Sequence, residues 1–250
     1  MLGVAVGIGI LTARLPPIPQ SASYHQFADN RTWLGIPNFW NVVSNLPFAI
    51  VGVCGLWFLL RSNPDKFHQA FVDPRERWPY VLAFFGLLLT AFGSAYYHLA
   101  PSNARLVWDR LPMTIVFGSL VAAVITERIS VEADVKLLPF LIAIAGGSVL
   151  QWYHDELHGH GDLRIYAMVQ LYSALVLLLG LLLKPRYTRG YDFAIVFGFY
   201  LLAKIFETAD RFIFAHGQIV SGHTLKHLAA ATAGYWILRM LRTRKPLDNV

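Results

Sequence analysis

Seven apolar runs, each near membrane length, dominate the sequence and restrict what it can fold into. Crossing about 30 Å of hydrocarbon takes roughly 20 apolar residues in a helix. Lipid offers no partner for backbone N–H and C=O groups, so such runs must satisfy them internally, as helices. The runs cover approximately residues 39–60, 80–99, 111–129, 135–153, 163–183, 193–214 and 223–241. Residues 2–11 form a shorter eighth run, ended by Arg14 and the Leu15-Pro16-Pro17-Ile18-Pro19 stretch. Its start lacks the basic region of a secretory leader, so it reads as an extra N-terminal hydrophobic helix. Charged residues make up only 14% of the chain, against about 25% in soluble domains, too few to coat a water-facing surface. The expected fold is all-α and membrane-embedded. An N-terminal hydrophobic helix and Pro-rich linker occupy residues 1–20, a seven-transmembrane helix bundle residues 21–241, and a basic cytoplasmic tail residues 242–250.

The net charge of +6 would suggest a nucleic-acid partner in a soluble protein. Here the lysines and arginines sit in short loops and the tail, the pattern set by membrane insertion, so no nucleic-acid partner is expected. Thirteen of them fall on one side, in the loops at 61–78, 128–136 and 184–192 and in the C-terminal tail. Six (Arg14, Arg31, Arg105, Arg110, Arg164 and Arg211) fall on the other, and Lys204 and Lys226 lie inside spans. The positive-inside rule then places the C-terminus in the cytoplasm. The N-terminal segment before residue 39, the end of the second span and the start of the seventh share the far, non-cytoplasmic face. Cys54 is the only cysteine, which excludes an intrachain disulfide and a cysteine-rich metal site. It is expected to be a small buried apolar residue.

The far face collects the chemistry. Ser94 and His98 stand at i and i+4 at the end of one run, and His223 and His227 stand at i and i+4 at the start of another. That spacing puts each pair on one helix face. Two facing helices then present three imidazoles to one point, the open form of a catalytic zinc site. The intervening Thr224, Leu225 and Lys226 supply no general base, so Asp109 is the candidate to accept a proton from an activated water. Ser94 is the candidate to hydrogen-bond a developing oxyanion. Other readings of the same residues are helix–helix hydrogen bonding by the histidines and haem ligation by paired histidines. His154, His158 and His160 lie in a glycine-containing loop, solvated or binding a metal there. Lys204, Glu207 and Asp210 form either an internal ion pair or part of a cavity wall. Asp162 and Arg164 read as a salt-bridged helix start. Asn45 is placed to cap or cross-link helices, and Pro47 to kink the first span.

Taken together, Ser94-x-x-x-His98, Asp109 within Trp-Asp-Arg-Leu-Pro-Met, His223-x-x-x-His227 and Phe39-Trp40-Asn41 with Ser44-Asn45 resemble the alkaline ceramidase family. That family belongs to the wider seven-span group of hydrolases that includes the adiponectin and progestin receptors. The resemblance runs from about residue 24 to 241. It implies a zinc amidase within the membrane that cuts ceramide to a sphingoid base and a fatty acid. His98, His223 and His227 would bind zinc, with Ser94 and Asp109 as neighbouring catalytic residues. It also implies a calcium site in the N-terminal segment, including a glutamate just before Phe-Trp-Asn. In this chain that position is Asn38, and Asp29 is the one carboxylate of residues 21–38. Hard cations take several oxygen ligands, so Asp29 and Asn38 make at most a weak calcium site, and the lipid recognised is open to change. This departure points to a divergent, bacterial branch and an inner-membrane protein. Other functions compatible with the residues are hydrolysis of another lipid amide or ester and a receptor-like or structural seven-span protein with a non-catalytic zinc. A transporter is a further reading, but no inverted repeat or pair of broken helices supports it.

Overall fold

A computed structural model describes residues 2–61 and 70–247. Lys66 of the first basic loop and the last three residues of the tail lie outside the described residues. The described chain is helical, with α1 Leu2–Arg14, α2 Phe39–Val43, α3 Leu46–Arg61, α4 Trp78–Leu99, α5 Asn103–Arg128, α6 Val131–Leu157, α7 Arg164–Gly180, α8 Asp192–Thr208, α9 Asp210–Gly217 and α10 Gly222–Thr243. Among the described residues β-pairing is limited to two isolated bridges, Trp33 with Ile36 and Tyr187 with Pro246.

Each of the seven apolar runs is helical, and four helical stretches are long and apolar enough to cross a membrane: Phe39–Arg61, Pro74–Leu99, Asn103–Arg128 and Lys136–Leu157. The helix of the fifth run is apolar but has only 17 residues. Those of the sixth and seventh carry Lys204 and Glu207, and His223, Lys226 and His227. The extra N-terminal helix forms, but its 13 residues rise only about 20 Å, short of the hydrocarbon thickness. Outward-facing apolar side chains such as Trp57, Phe92, Phe140 and Leu182 are exposed, as expected of surfaces that meet lipid rather than water. Cys54 is among them: it is exposed on α3 rather than buried, because it sits on the face opposite Gly52 and Gly55, which pack against α4.

Helix boundaries follow local chemistry. Serine side chains cap three N-termini: Ser102 accepts from Arg105 N, Ser130 from Ala133 N and Ser221 from Thr224 N, each satisfying an orphan donor of the first turn. The first span breaks at Ser44–Asn45, just before Pro47. The sixth run, expected as one helix over 193–214, divides at Ala209. The break frees Asp210 to accept from His223 N at 2.8 Å and from Ala28 N at 3.0 Å. Helix α5 begins at Asn103, earlier than the apolar run, so Asp109 is inside a helix and buried.

Helices α3 to α6 pack in sequence, α7 lies on α5, and α10 fills the space between α3 and α8. Residues 18–38 cross one end of the bundle, where Leu163 N donates to Ile18 O and Asn38 Nδ2 donates to His98 O. At the other end, the loops rich in arginine meet in a buried ionic network. Arg244 pairs with Glu127, which also accepts from the Tyr80 hydroxyl, and donates to Ala70 O at 2.8 Å. Arg186 pairs with Glu76, which accepts from the Tyr187 hydroxyl. Removing one partner of a buried ion pair leaves an uncompensated charge and costs about 3–5 kcal/mol. Arg244→Met alone is therefore expected to lower the melting temperature of the detergent-solubilised protein sharply. Adding Glu127→Leu should recover most of that loss.

Candidate metal centre and its cavity

The three histidines singled out by spacing converge. His98 at the end of α4 meets His223 and His227 on the first two turns of α10. One ligand atom from each lies within 4.8 Å of the others, and all three side chains are buried. The Nε2 atoms of His98 and His223 are 3.3 Å apart. Nitrogens bound to one tetrahedral zinc at about 2.0–2.1 Å stand about 3.3–3.4 Å from each other, so this spacing suits a shared metal ion. His227 Nδ1 is held by the Ser44 hydroxyl at 2.8 Å, which turns its Nε2 away from that bond and fixes the ring, as outer-shell partners do for metal ligands. His98 Nδ1 is buried without a hydrogen-bond partner. The cluster is able to hold a metal ion, and three imidazoles suit a borderline-soft metal better than calcium or magnesium.

Two glycines allow the approach. A Cβ on Gly93 would lie 1.9 Å from Trp108 O, and one on Gly222 would lie 2.3 Å from Phe206 O. Each glycine directly precedes a site residue, Ser94 and His223. With α4 and α5 this close, Ser94 and Asp109 come together on the wall of one cavity. Both side chains are buried. The serine expected to face an oxyanion thus stands next to the candidate base.

Residues 21–41 close the site at the histidine end of the bundle. The Phe27 ring lies 4.6 Å, centroid to centroid, from both His98 and His223. Asn41 accepts from Ser221 and Thr224 at the head of α10 and donates to Asp29 O. The candidate calcium residues have other bonds: both Asp29 carboxylate oxygens are taken by Arg31, and Asn38 holds the His98 carbonyl. His154, His158 and His160 lie apart from the cluster, exposed, with ring nitrogens of His158 and His160 on backbone carbonyls.

A cavity of about 330 Å³ opens beside the histidines. Its polar end is formed by Ser94, Asp109, Arg110, Glu207, Lys226 and His227. Lys226 bridges to Glu207 at 2.5 Å, and Glu207 pairs with Lys204 as well, so this group is both an ion pair and a cavity wall. The Tyr24 hydroxyl reaches Glu207 at 3.4 Å, and burial pushes its pKa up, keeping it a neutral donor. The remaining wall is apolar and runs to Ala83, Leu120 and Ile237. Along α4, α5 and α10 those residues are ten or eleven positions from Ser94, Asp109 and His227, which is about 15–16 Å of helix. That is half of the ~30 Å hydrocarbon core, the length of one leaflet's chain. Phe27, Ser44 and Arg110 had not been assigned to the site by spacing. Ser44 could have been found from its place one turn beyond Asn41, and Arg110 from its place directly after Asp109 at the edge of an apolar run.

Comparison with known proteins agrees with this arrangement. A family model described as "Ceramidase" matches residues 34–245. A protein of Dictyostelium discoideum named "Putative alkaline ceramidase dcd3A" is 25% identical over 120 residues, covering 46% of this chain and 40% of the relative. The chain thus aligns with well under half the length of that relative. If the histidines hold a metal, the purified protein carries about one equivalent of a transition metal per chain. His98→Ala and His223→Ala should each lose it in elemental analysis, and Cys54→Ser should retain it.

Proposed function

Because the chain belongs to the ceramidase family, we propose that it is a zinc-dependent amidase of the membrane. It would hydrolyse the amide of a ceramide-like lipid to a sphingoid base and a fatty acid. The observation that carries the reading is the cluster of His98, His223 and His227, whose His227 lines a largely apolar cavity together with Ser94 and Asp109. His98, His223 and His227 would hold the zinc. When bound, zinc supplies a Lewis acid and lowers the pKa of a water to about 7.

The chain's own groups account for the remaining chemistry. The apolar cavity takes the acyl chain and leaves the amide at Ser94 and Asp109. Asp109 accepts the proton that the attacking water loses, and returns it to the amide nitrogen as the C–N bond breaks. The Ser94 hydroxyl holds Asp109 while it is a carboxylate. Once Asp109 takes the proton it needs that bond less, and the hydroxyl turns to the carbonyl oxygen as negative charge develops there. Phe27 and the segment around it exclude water from the far side. The charge distribution of the loops supports a cytoplasmic C-terminus and a site toward the non-cytoplasmic face.

Asp109→Asn should lower fatty-acid release from a labelled ceramide by about 10²–10⁴-fold while zinc content stays near one equivalent. Ser94→Ala should reduce it by about 10²–10³-fold. Wild-type turnover in Asp109→Asn would remove Asp109 from the mechanism.

A further inference from the structure

Arg110 is the one cation on the cavity wall whose charge the described structure leaves without a carboxylate. It adjoins Asp109 on α5 and is 5% exposed. Its Nη2 donates to the neutral amide oxygen of Gln20 at 2.7 Å. Its Nη1 is buried with no hydrogen-bond partner. None of the ion pairs among the described residues includes it. The guanidinium is surrounded instead by aromatic faces: Trp152 at 4.5 Å, Tyr166 at 5.0 Å and Tyr24 at 5.4 Å from the ring centroids. Cation–π contact offsets part of the desolvation of a buried cation, but an unused N–H on a buried charge is expensive to leave unmade. The aromatic cage also fixes the planar fork, so its open edge is pre-oriented rather than mobile.

Lys226 and Lys204 share Glu207, while Arg110 has no such partner. The arginine, lysine and carboxylate side chains lining the cavity are three cations, Arg110, Lys204 and Lys226, against two carboxylates, Asp109 and Glu207. One positive charge is left over, and it is the one with a free donor.

We propose that Arg110 is the cavity's anion-binding group, and that its free Nη1 donates to an anionic oxygen of the long-chain lipid lodged there. Under the amidase reading, on which the choice of lipid rests, this oxygen is either a phosphate or carboxylate on the substrate's headgroup or the carboxylate of the released fatty acid. Arg110 is then a specificity-determining residue. It favours lipids that carry a negative charge over neutral lipids of equal chain length.

The test is binding to the detergent-solubilised, metal-loaded full chain, measured without turnover. Oleate is compared with oleyl alcohol, and ceramide 1-phosphate with ceramide on Asp109→Asn protein. Loss of one charge-assisted hydrogen bond corresponds to about tenfold or more in affinity. At least one anionic member of these pairs is expected to bind about tenfold tighter than its neutral counterpart. Arg110→Gln should bring that ratio to near one, and Arg110→Lys should retain part of it. A preference confined to oleate assigns the group to the product; one that includes ceramide 1-phosphate assigns it to the substrate headgroup. If Arg110→Gln does not fold, His98→Ala removes any claim of the histidine cluster on the anion, and the preference must survive it. Equal affinities within both wild-type pairs, a preference unchanged by Arg110→Gln, or its loss in His98→Ala would overturn the proposal. A chain that binds oleate through Arg110 yet cleaves no amide would sink the amidase reading and leave the anion site standing.

Discussion

Everything at the candidate site depends on polar side chains finding one another inside a bundle that otherwise offers them nothing. An imidazole or carboxylate among apolar helices has no water to turn to, so its partners must be other side chains at close range. Here that range is set by backbone contact. Gly93 lets α4 press against Trp108, and Gly222 lets the head of α10 press against the end of α8. The side chains that follow, Ser94 and His223, are thereby delivered to Asp109 and to His98. A Cβ at either glycine would force these helices apart, and the cluster would lose its geometry before losing any of its ligands.

The two ends of the bundle handle buried charge differently. At the arginine-rich end, Arg244 and Glu127 are paired and surrounded by aromatic rings, an arrangement that fixes the tail and loops, although Arg244 Nη2 is left without a hydrogen-bond partner. At the histidine end, open positions remain: His98 Nδ1 and Arg110 Nη1 are buried and unpartnered, beside a cavity of lipid length. The cavity, lined by Arg110 and His227, is what makes the histidine end the place where a ligand would complete the structure. It also explains why the N-terminal segment matters: Phe27, Asn38 and Asn41 are the groups that cover and brace the cluster.

Much of this was legible in the sequence because the signals were periodic or compositional. Each apolar run proved helical, four of them long and apolar enough to cross a membrane, and i,i+4 spacing identified the histidine pairs. What escaped depended on which helices became neighbours. Arg110 counted only as a loop charge until the fold placed Trp152 and Tyr166 around it. Arg244 counted only as a charge of the C-terminal tail until the fold paired it with Glu127. The break at Ala209 carries no proline or glycine; it arises because Asp210 bonds the backbone of His223 and Ala28, a tertiary contact that no local pattern encodes.

The central claim is that the three histidines hold a zinc on which lipid-amide cleavage depends. The most direct measurement is to strip the purified protein of metal with a chelator, return zinc in sub-stoichiometric steps, and follow fatty-acid release from ceramide in detergent micelles. The account predicts no release by the stripped protein and a linear rise that stops at about one zinc per chain. Full activity in the stripped protein, or none with the zinc site filled, would contradict it.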